Sequence, residues 1–549
     1  MRRFLLLGSL FLLVLTACGG GGDDVTASTS PQATTAPTEA TTTTLGAPAV
    51  GGPVGTVTIA LPTFGNELMD PTRSSNPDLV YWGNSFDFLM GMDENGNPTT
   101  ENGAASSVVS SPDGKVWTIE LREGMKFHDG VEVTAEDVAF SLELYAGEDS
   151  ACTSCGKMQK NLDFVTVTGT YSLDVTFKDP NALFLRDLTR VNDTLAIIPK
   201  HHWEAMGGAD GFNENPLGSG PYVFSERAIG EFIEFTANTD YWNADRIPGF
   251  ETLHILLAPE ATSRLALLER GDVDLALMDP FTAPDVLAAG LEITGPKRVQ
   301  TISVAFGMPW SANDFFYNDQ AAREALIKAV DVAAIVEAIY PEGTAVVAAS
   351  FAAVPSQEGY DPELVPYEYD PDAAAQAIQD LGLAGQEITM YQYSFGASPE
   401  FPEIQAAVAA FWQVAGLNPT LAPTDFASIR PNFLNEPYFP EPFTHMWFVT
   451  AGTTTENALR IGVISKDIGG FYSAFGDPGL DAIYTQYRSE VDPVKRNALA
   501  NIAVNLIYDN YVVLPIATTD MIWGIGPRIS SWSPTNGSVA AVNFETLRP

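Results

Sequence analysis

The chain reads as an α/β protein with mixed sheets arranged in two lobes, and three observations predict this. Strand-like and helix-like patterns alternate from residue 55 to residue 549, the arrangement of layered α/β folds. Two separated stretches each carry a strand–helix–strand unit, which suggests two bodies with a sheet apiece. Apolar residues make up 45% and charged residues 18%, the balance of a chain that buries a core.

The elements follow in order. Residues 1–17 read as a secretory signal: Arg2 and Arg3 precede an apolar stretch, Phe4 to Thr16, that is too short to span a bilayer. It ends in Leu15-Thr16-Ala17-Cys18, which resembles the lipobox of bacterial lipoproteins. That resemblance implies cleavage before Cys18 and diacylglycerol on its sulfur. The alternative is an ordinary signal with a chance cysteine. Residues 18–54 are rich in Gly, Thr, Ala and Pro and offer almost nothing to bury, so they read as a disordered tether with a reach of roughly 30–35 Å. No later segment is apolar for long enough to suggest a second span.

The rest of the chain is long enough for about three domain-sized units. Thr56–Leu61 is the first strand. Trp117, Ile119 and Leu121 alternate with polar residues as in a half-buried strand. Thr134-Ala135-Glu136-Asp137 has the spacing of a capping box, with Val138, Leu142 and Tyr145 following at helical intervals. Thr252–Leu257, the helix Glu260–Arg270 closed by Gly271, and Val273–Leu277 form one βαβ unit, whose crossover should be right-handed. Glu387–Tyr393, a helix with the stripe Ile404, Val408, Phe411 and Ala415, and a strand over Leu417–Leu421 form the other.

Charge and rare residues narrow the function. With 28 Lys plus Arg against 69 Asp plus Glu, the net charge is −41. This excludes a phosphate-tracking surface and hence nucleic-acid binding; it also favours a monomer. It suits a solubility adaptation of the surface, the alternative being a cationic solute. Five His leave little for a metal centre. His201 and His202 are adjacent and diverge on any regular element, so neither metal nor cofactor is expected. His128 and Asp129 lie in a turn, although an acid–base pair is the other reading. The zinc-protease pattern His-Glu-x-x-His and the nucleophile elbow Gly-x-Ser-x-Gly are absent. Cys152 and Cys155, in a polar loop outside the cytosol, read as a small disulfide staple, a redox centre being the alternative.

Lys115 to Gly130 (Lys-Val-Trp-Thr-Ile-Glu-Leu-Arg-Glu-Gly-Met-Lys-Phe-His-Asp-Gly), followed by Thr134 to Ser141, resembles the signature of bacterial extracellular solute-binding proteins of family 5, the peptide, dipeptide and nickel type. Asn215 to Tyr222, Asn238-Thr239-Asp240-Tyr241-Trp242, Arg323 to Asp331 and Asp492 to Pro515 match in the family's order. The resemblance implies a two-lobed periplasmic-binding-protein-like fold of the large class, with an extra subdomain and a ligand cleft between lobes. It puts lobe I at 55–297, lobe II at 298–513 and a return to lobe I at 514–549. It further implies a small-molecule or peptide ligand, the permease of an ABC-type importer as partner, and a place on the extracytoplasmic face of the membrane. The family's cleft positions fall here on Thr63, Phe64, Tyr393, Ser394, Phe395, Trp447, Phe448 and Thr450, core packing being the alternative for each aromatic. Peptide-binding relatives carry an Asp shortly after that Trp. Here the stretch Trp447 to Glu456 has none, which puts a peptide held by its free amino end in doubt; Glu456 is a possible substitute. The hydroxyls Thr450, Thr453, Thr454 and Thr455 suit a neutral polar solute such as a sugar. The competing functions are an extracellular hydrolase, which requires two converging carboxylates, one with a raised pKa, and a sensor or adhesin derived from a binding protein.

Overall fold

The computed structural model describes residues 52–74, 76–93, 97–152, 155–190, 195–307, 314–355, 357–393, 398–424, 428–429, 432, 439–450, 454–465, 468, 470, 476–534 and 542–549. The signal, lipidation (Cys18) and most of the tether readings lie outside these residues, as do Ser394, Phe395 and Thr453. Among the described residues no helix is long and apolar enough to cross a membrane.

Two mixed sheets organise the chain. The first has seven strands in the order Glu292–Thr294, Trp523–Ile525, Leu275–Leu277, Thr56–Leu61, Thr252–Leu257, Phe232–Ala237 and Tyr222–Ala228. Thr56–Leu61 lies parallel to both neighbours, and parallel neighbours need a crossover. The helix Ala261–Arg270 supplies it, stopping where Gly271 takes φ 72°, a conformation that suits glycine. The expected βαβ unit is therefore present, and its two strands flank the first strand.

The second sheet has six strands, ordered Ala345–Val347, Val513–Thr519, Gln300–Phe306, Phe443–Thr450, Glu387–Gln392 and Asn418–Pro423. Its parallel pair, Glu387–Gln392 with Asn418–Pro423, is bridged by the helix Phe401–Ala415. That helix buries Phe401, Ile404, Val408, Trp412 and Ala415. The stripe thus runs through Trp412, whose indole N–H donates to the Leu326 carbonyl at 2.8 Å. Phe411 is only half-buried and packs on Tyr369.

A four-stranded antiparallel sheet, Ala105–Ser110, Val116–Leu121, Ser172–Phe177 and Leu162–Gly169, shares its apolar core with the seven-stranded sheet. Trp117, Ile119 and Leu121 point inward as the alternation predicts. The Asp137 carboxylate accepts from the Thr134 amide and hydroxyl, each at 3.0 Å, fixing the start of the helix Ala135–Ala146. Cys152 and Cys155 are disulfide-bonded, with Cα atoms 5.1 Å apart. The six-stranded sheet has a separate core.

The chain passes between the two sheets twice: from Thr294 to Gln300, and from Thr519 to Trp523. The two passages are laced together. The Met521 amide donates to the Pro296 carbonyl (3.0 Å) and the Val299 amide to the Thr519 carbonyl (2.9 Å). The buried Asp520 carboxylate accepts from the Arg298 amide (2.9 Å) and pairs with Lys297 (2.9 Å). Gly295, at φ 133°, is pressed so close to the Met521 carbonyl that a Cβ would lie 2.1 Å from it.

His445, in the strand Phe443–Thr450, is buried, and burial pushes its imidazole down to about 4 from 6.5. Between those values the unfolded chain binds the proton that the folded chain refuses, so stability falls as pH drops through this window. We expect His445→Phe to remove roughly 3 kcal/mol of the wild-type dependence. Urea unfolding of both proteins at pH 7 and pH 4 checks this, and parallel losses in the two would contradict it.

Candidate functional site

Strand register decides where the two sheets face each other. Leu277 ends a parallel strand beside Trp523, which also pairs with Thr294. Both passages therefore leave the first sheet at the carboxyl ends of its parallel strands. In the second sheet Gln300 opens opposite Thr450 and Thr519, and Thr450 closes a strand parallel to Glu387–Gln392. The passages thus meet the carboxyl ends there too. Carboxyl ends of parallel strands are where open α/β sheets bind ligands, and here both sets are brought to one junction.

The loops at this junction carry the candidate side chains. Tyr340 follows the helix Val332–Ile339, and its hydroxyl donates to Glu400 Oε1 at 3.1 Å. Glu400 precedes the helix Phe401–Ala415 and is 4% exposed. Burial, reinforced by the negative charge of Asp279, pushes its carboxyl up to about 7. Asp279 belongs to the other sheet: it follows Leu275–Leu277, next to Met278, whose amide donates to the Ile522 carbonyl in the second passage (2.8 Å). Gln300 donates its side-chain amide to Ser398 Oγ at 3.0 Å, and Gln357 donates to the Thr450 carbonyl at 3.1 Å. The second sheet therefore brings a buried carboxyl with its phenol and several amide and hydroxyl groups to the loops at this junction, and the first sheet brings Asp279, whose Oδ1 accepts from the Phe281 and Thr282 amides (3.0 and 2.9 Å). Sequence reasoning missed Asp279, Tyr340 and Glu400. The available signal was position: Asp279 follows the last strand of one βαβ unit, and Glu400 sits just before the crossover helix of the other.

The residues singled out from the sequence are placed as follows. Thr63 is exposed, and its hydroxyl accepts from the Gly65 amide (3.0 Å). Phe64 is 3% exposed and meets Tyr81 edge to face, centroids 5.7 Å apart, in the first core. Tyr393 is buried in the second core with its hydroxyl on the Met446 carbonyl (3.0 Å). Trp447 is buried and stacks on Phe351 at 5.2 Å. Half-buried Phe448 packs on Phe401, and Thr450 ends its strand at the junction. Tyr393, Trp447, Phe448 and Thr450 thus share one body, while Thr63 and Phe64 belong to the other. Glu456 is engaged elsewhere, accepting from the Tyr484 hydroxyl at 2.6 Å.

The sequence motifs form a structural clamp. His128 Nε2 donates to the Gly220 carbonyl (3.0 Å), which also receives the Asn238 side chain (3.1 Å). Burial pushes the His128 imidazole down to about 4, so it stays neutral at pH 7. Asp129 turns to His201 (2.7 Å), and His202 donates to the Asn215 carbonyl (2.7 Å); the paired histidines diverge. Tyr241 and Trp242 both donate to buried Asp87 (2.7 and 3.1 Å). Gly218 and Gly220 pass so near Ser85 and Phe86 that a Cβ at either would collide with backbone. A hollow of about 510 Å³ beside Phe316, Gln386 and Pro442 lies at the opposite, amino end of the strand Glu387–Gln392.

Comparison with known proteins agrees with this architecture. The sequence profile of bacterial extracellular solute-binding proteins, family 5 Middle, matches residues 99–456. The chain is 26% identical to the oligopeptide-binding protein AppA of Bacillus subtilis over 346 residues, 61% of this chain and 60% of that one. It is 28% identical to heme-binding protein A of Haemophilus influenzae over 311 residues, 52% of this chain and 54% of that one. It therefore spans just over half the length of these curated relatives. Among solved structures, the ABC transporter substrate-binding protein CtaP of Listeria monocytogenes superimposes with a TM-score of 0.77 at 21% identity, covering 90% of this chain and 99% of that one. The fold is that of the two-lobed substrate-binding proteins.

Proposed function

Because the chain belongs to family 5 of the bacterial extracellular solute-binding proteins, we propose that it captures a small solute between its lobes outside the cytoplasmic membrane. It then hands that solute, peptide-like or another polar molecule, to the permease of an ABC-type importer. In this reading Cys18 carries the lipid anchor, residues 18–54 form the tether, and the lobes meet at the two passages. Lobe I then comprises residues from 55 to the first passage and from 520 onward, and lobe II lies between; the return falls at 520 rather than at the expected 514 because Val513–Thr519 is a strand of the six-stranded sheet. The observation that carries the proposal is the register that brings both sets of strand ends to one junction. A ligand touching both lobes favours the closed arrangement by its differential affinity.

The test is the solute that co-purifies. Mass spectrometry should find one small molecule, calorimetry should show it rebinding, and scattering should show compaction on binding. Rebinding without compaction would contradict the two-lobe mechanism. The hydrolase reading has one observation in its favour, the pair Glu400 and Asp279 with one carboxyl raised. We expect the solute to be recovered chemically unchanged after prolonged incubation; its conversion would establish the hydrolase instead.

A further inference from the structure

We propose that residues 542–549 are a strap that locks the first body. Its seven-stranded sheet cannot finish folding until the C-terminal end of the chain arrives, whereas the six-stranded sheet can. Val542, Phe544, Glu545 and Leu547 are each 0% exposed, and the three apolar ones belong to the core of the seven-stranded sheet. Phe544 packs on Trp523 and Trp532, ring centroids 5.9 and 6.4 Å away, and Trp532 Nε1 donates to the Asn543 carbonyl (3.1 Å). Trp523 opens the short strand Trp523–Ile525 by which the second passage enters this sheet, so the strap braces the return strand itself. The Leu547 carbonyl passes so close to Gly249 that a Cβ there would lie 2.6 Å from it.

Charge makes the strap specific. Glu545 Oε1 accepts from Arg246 Nε (3.1 Å) and Nη2, and the Val542 carbonyl accepts from buried Arg190 Nη2 (3.0 Å). The Glu545 charge offsets the cost of burying the Arg190 guanidinium, which Arg246 repels. Without the strap Asp87 still acts on Arg246, but the carboxylate acting on both cations is gone, and an uncompensated buried charge is costly. Topology sets the order. Among the described residues the central strand of this sheet, Thr56–Leu61, is the first of the chain and Trp523–Ile525 is the last. Every buried residue of the other core falls between Ile302 and Ala517. A contiguous core forms over shorter loops, while one built from both ends waits for a long closure. The family is extracellular. A chain crossing a membrane with its N-terminal end leading thus keeps its leading body unlocked until the trailing residues are through.

The test follows the full chain, disulfide intact, refolding from urea under pulses of deuterium, with mass spectrometry of peptides from each sheet. Peptides covering Gln300–Phe306 and Val513–Thr519 should gain protection first. Those covering Thr56–Leu61 and Thr252–Leu257 should gain it later, in step with residues 542–549. Any other order overturns the proposal. At equilibrium Glu545→Gln and Phe544→Ala should each lose about ten-fold or more of the protection of the seven-stranded sheet and keep that of the six-stranded sheet. An equal loss in both sheets, or no loss, would also sink it. If neither variant is recovered folded, the wild-type order decides alone. No solute enters the measurement, so its failure leaves the solute-binding reading standing.

Discussion

Trp447→Ala should cost about 3–5 kcal/mol of stability, the usual range for emptying a large aromatic site in a core. Trp447 is 8% exposed and lies face to face with Phe351, rings inclined by 16°. Gly462 abuts its other edge, where a Cβ would lie 2.3 Å from the indole. Opposite it on the neighbouring strand is buried Ser303. With so many sides packed, little can collapse into the vacated volume. Thermal unfolding should shift by roughly 10 °C, while ligand affinity measured well below the transition should change little. Gly462→Ala should destabilise through the same ring, by about 1–3 kcal/mol. A Trp447→Ala protein that kept its thermal midpoint and lost affinity would make the indole a ligand contact.

The second large effect is expected at Arg496, where the lobes touch away from the passages. Its Nε and Nη2 donate to Glu358 Oε1 at 2.9 and 2.7 Å, and Tyr487 donates to Glu358 Oε2 at 2.6 Å. Arg496 Nη1 reaches the Ala182 carbonyl in the other body at 3.0 Å. Arg186, also from that body, is half-buried; desolvation lowers its guanidinium pKa, and Glu358 opposes the shift. Nearby, Val491 presses against Gly114. Arg496→Ala removes a side chain that grips both bodies and leaves Glu358 short of donors. Because the pair is not fully dry, a loss of about 2 kcal/mol is expected rather than the full cost of a broken buried ion pair. Ligand affinity should fall about ten-fold or more, and scattering should report larger dimensions at saturating ligand. Arg496→Lys keeps the charge but not the fork and should fall between. Unchanged dimensions and affinity in Arg496→Ala would show that this contact does not bias closure.

Local patterns carried much of the fold. The Trp117–Leu121 alternation, the Thr134–Asp137 cap and both βαβ units are written in neighbouring residues, where period and capping chemistry act directly. The strand Val513–Thr519 is different: every residue in it is buried, so no alternation marks its faces, and only its pairing with Gln300–Phe306 and Ala345–Val347 assigns it to the second sheet. The candidate site was less legible for a related reason. Asp279, Tyr340 and Glu400 are remote in sequence, and their convergence depends on register across two sheets. Phe64, Tyr393 and Trp447 were conspicuous by residue type, but an aromatic after a strand fills a core as readily as it lines a gap, and the sequence pattern is the same for both. The long signature around His128 identified the family because its parts clamp one another, which says how the first lobe is built rather than what it grips.

The laced passages carry a mechanical consequence. A body hung from a single strand can swivel in any direction. Two ribs sewn edge to edge, with Asp520 stitched to Lys297 and Arg298, resist shear and twist and leave one easy motion, like the covers of a book about its spine. Groups on facing pages then meet the same counterparts at every closing, however far apart they are in the text. Lengthening one rib by a single residue should skew the pages and mismatch every pair at once, without touching any of them.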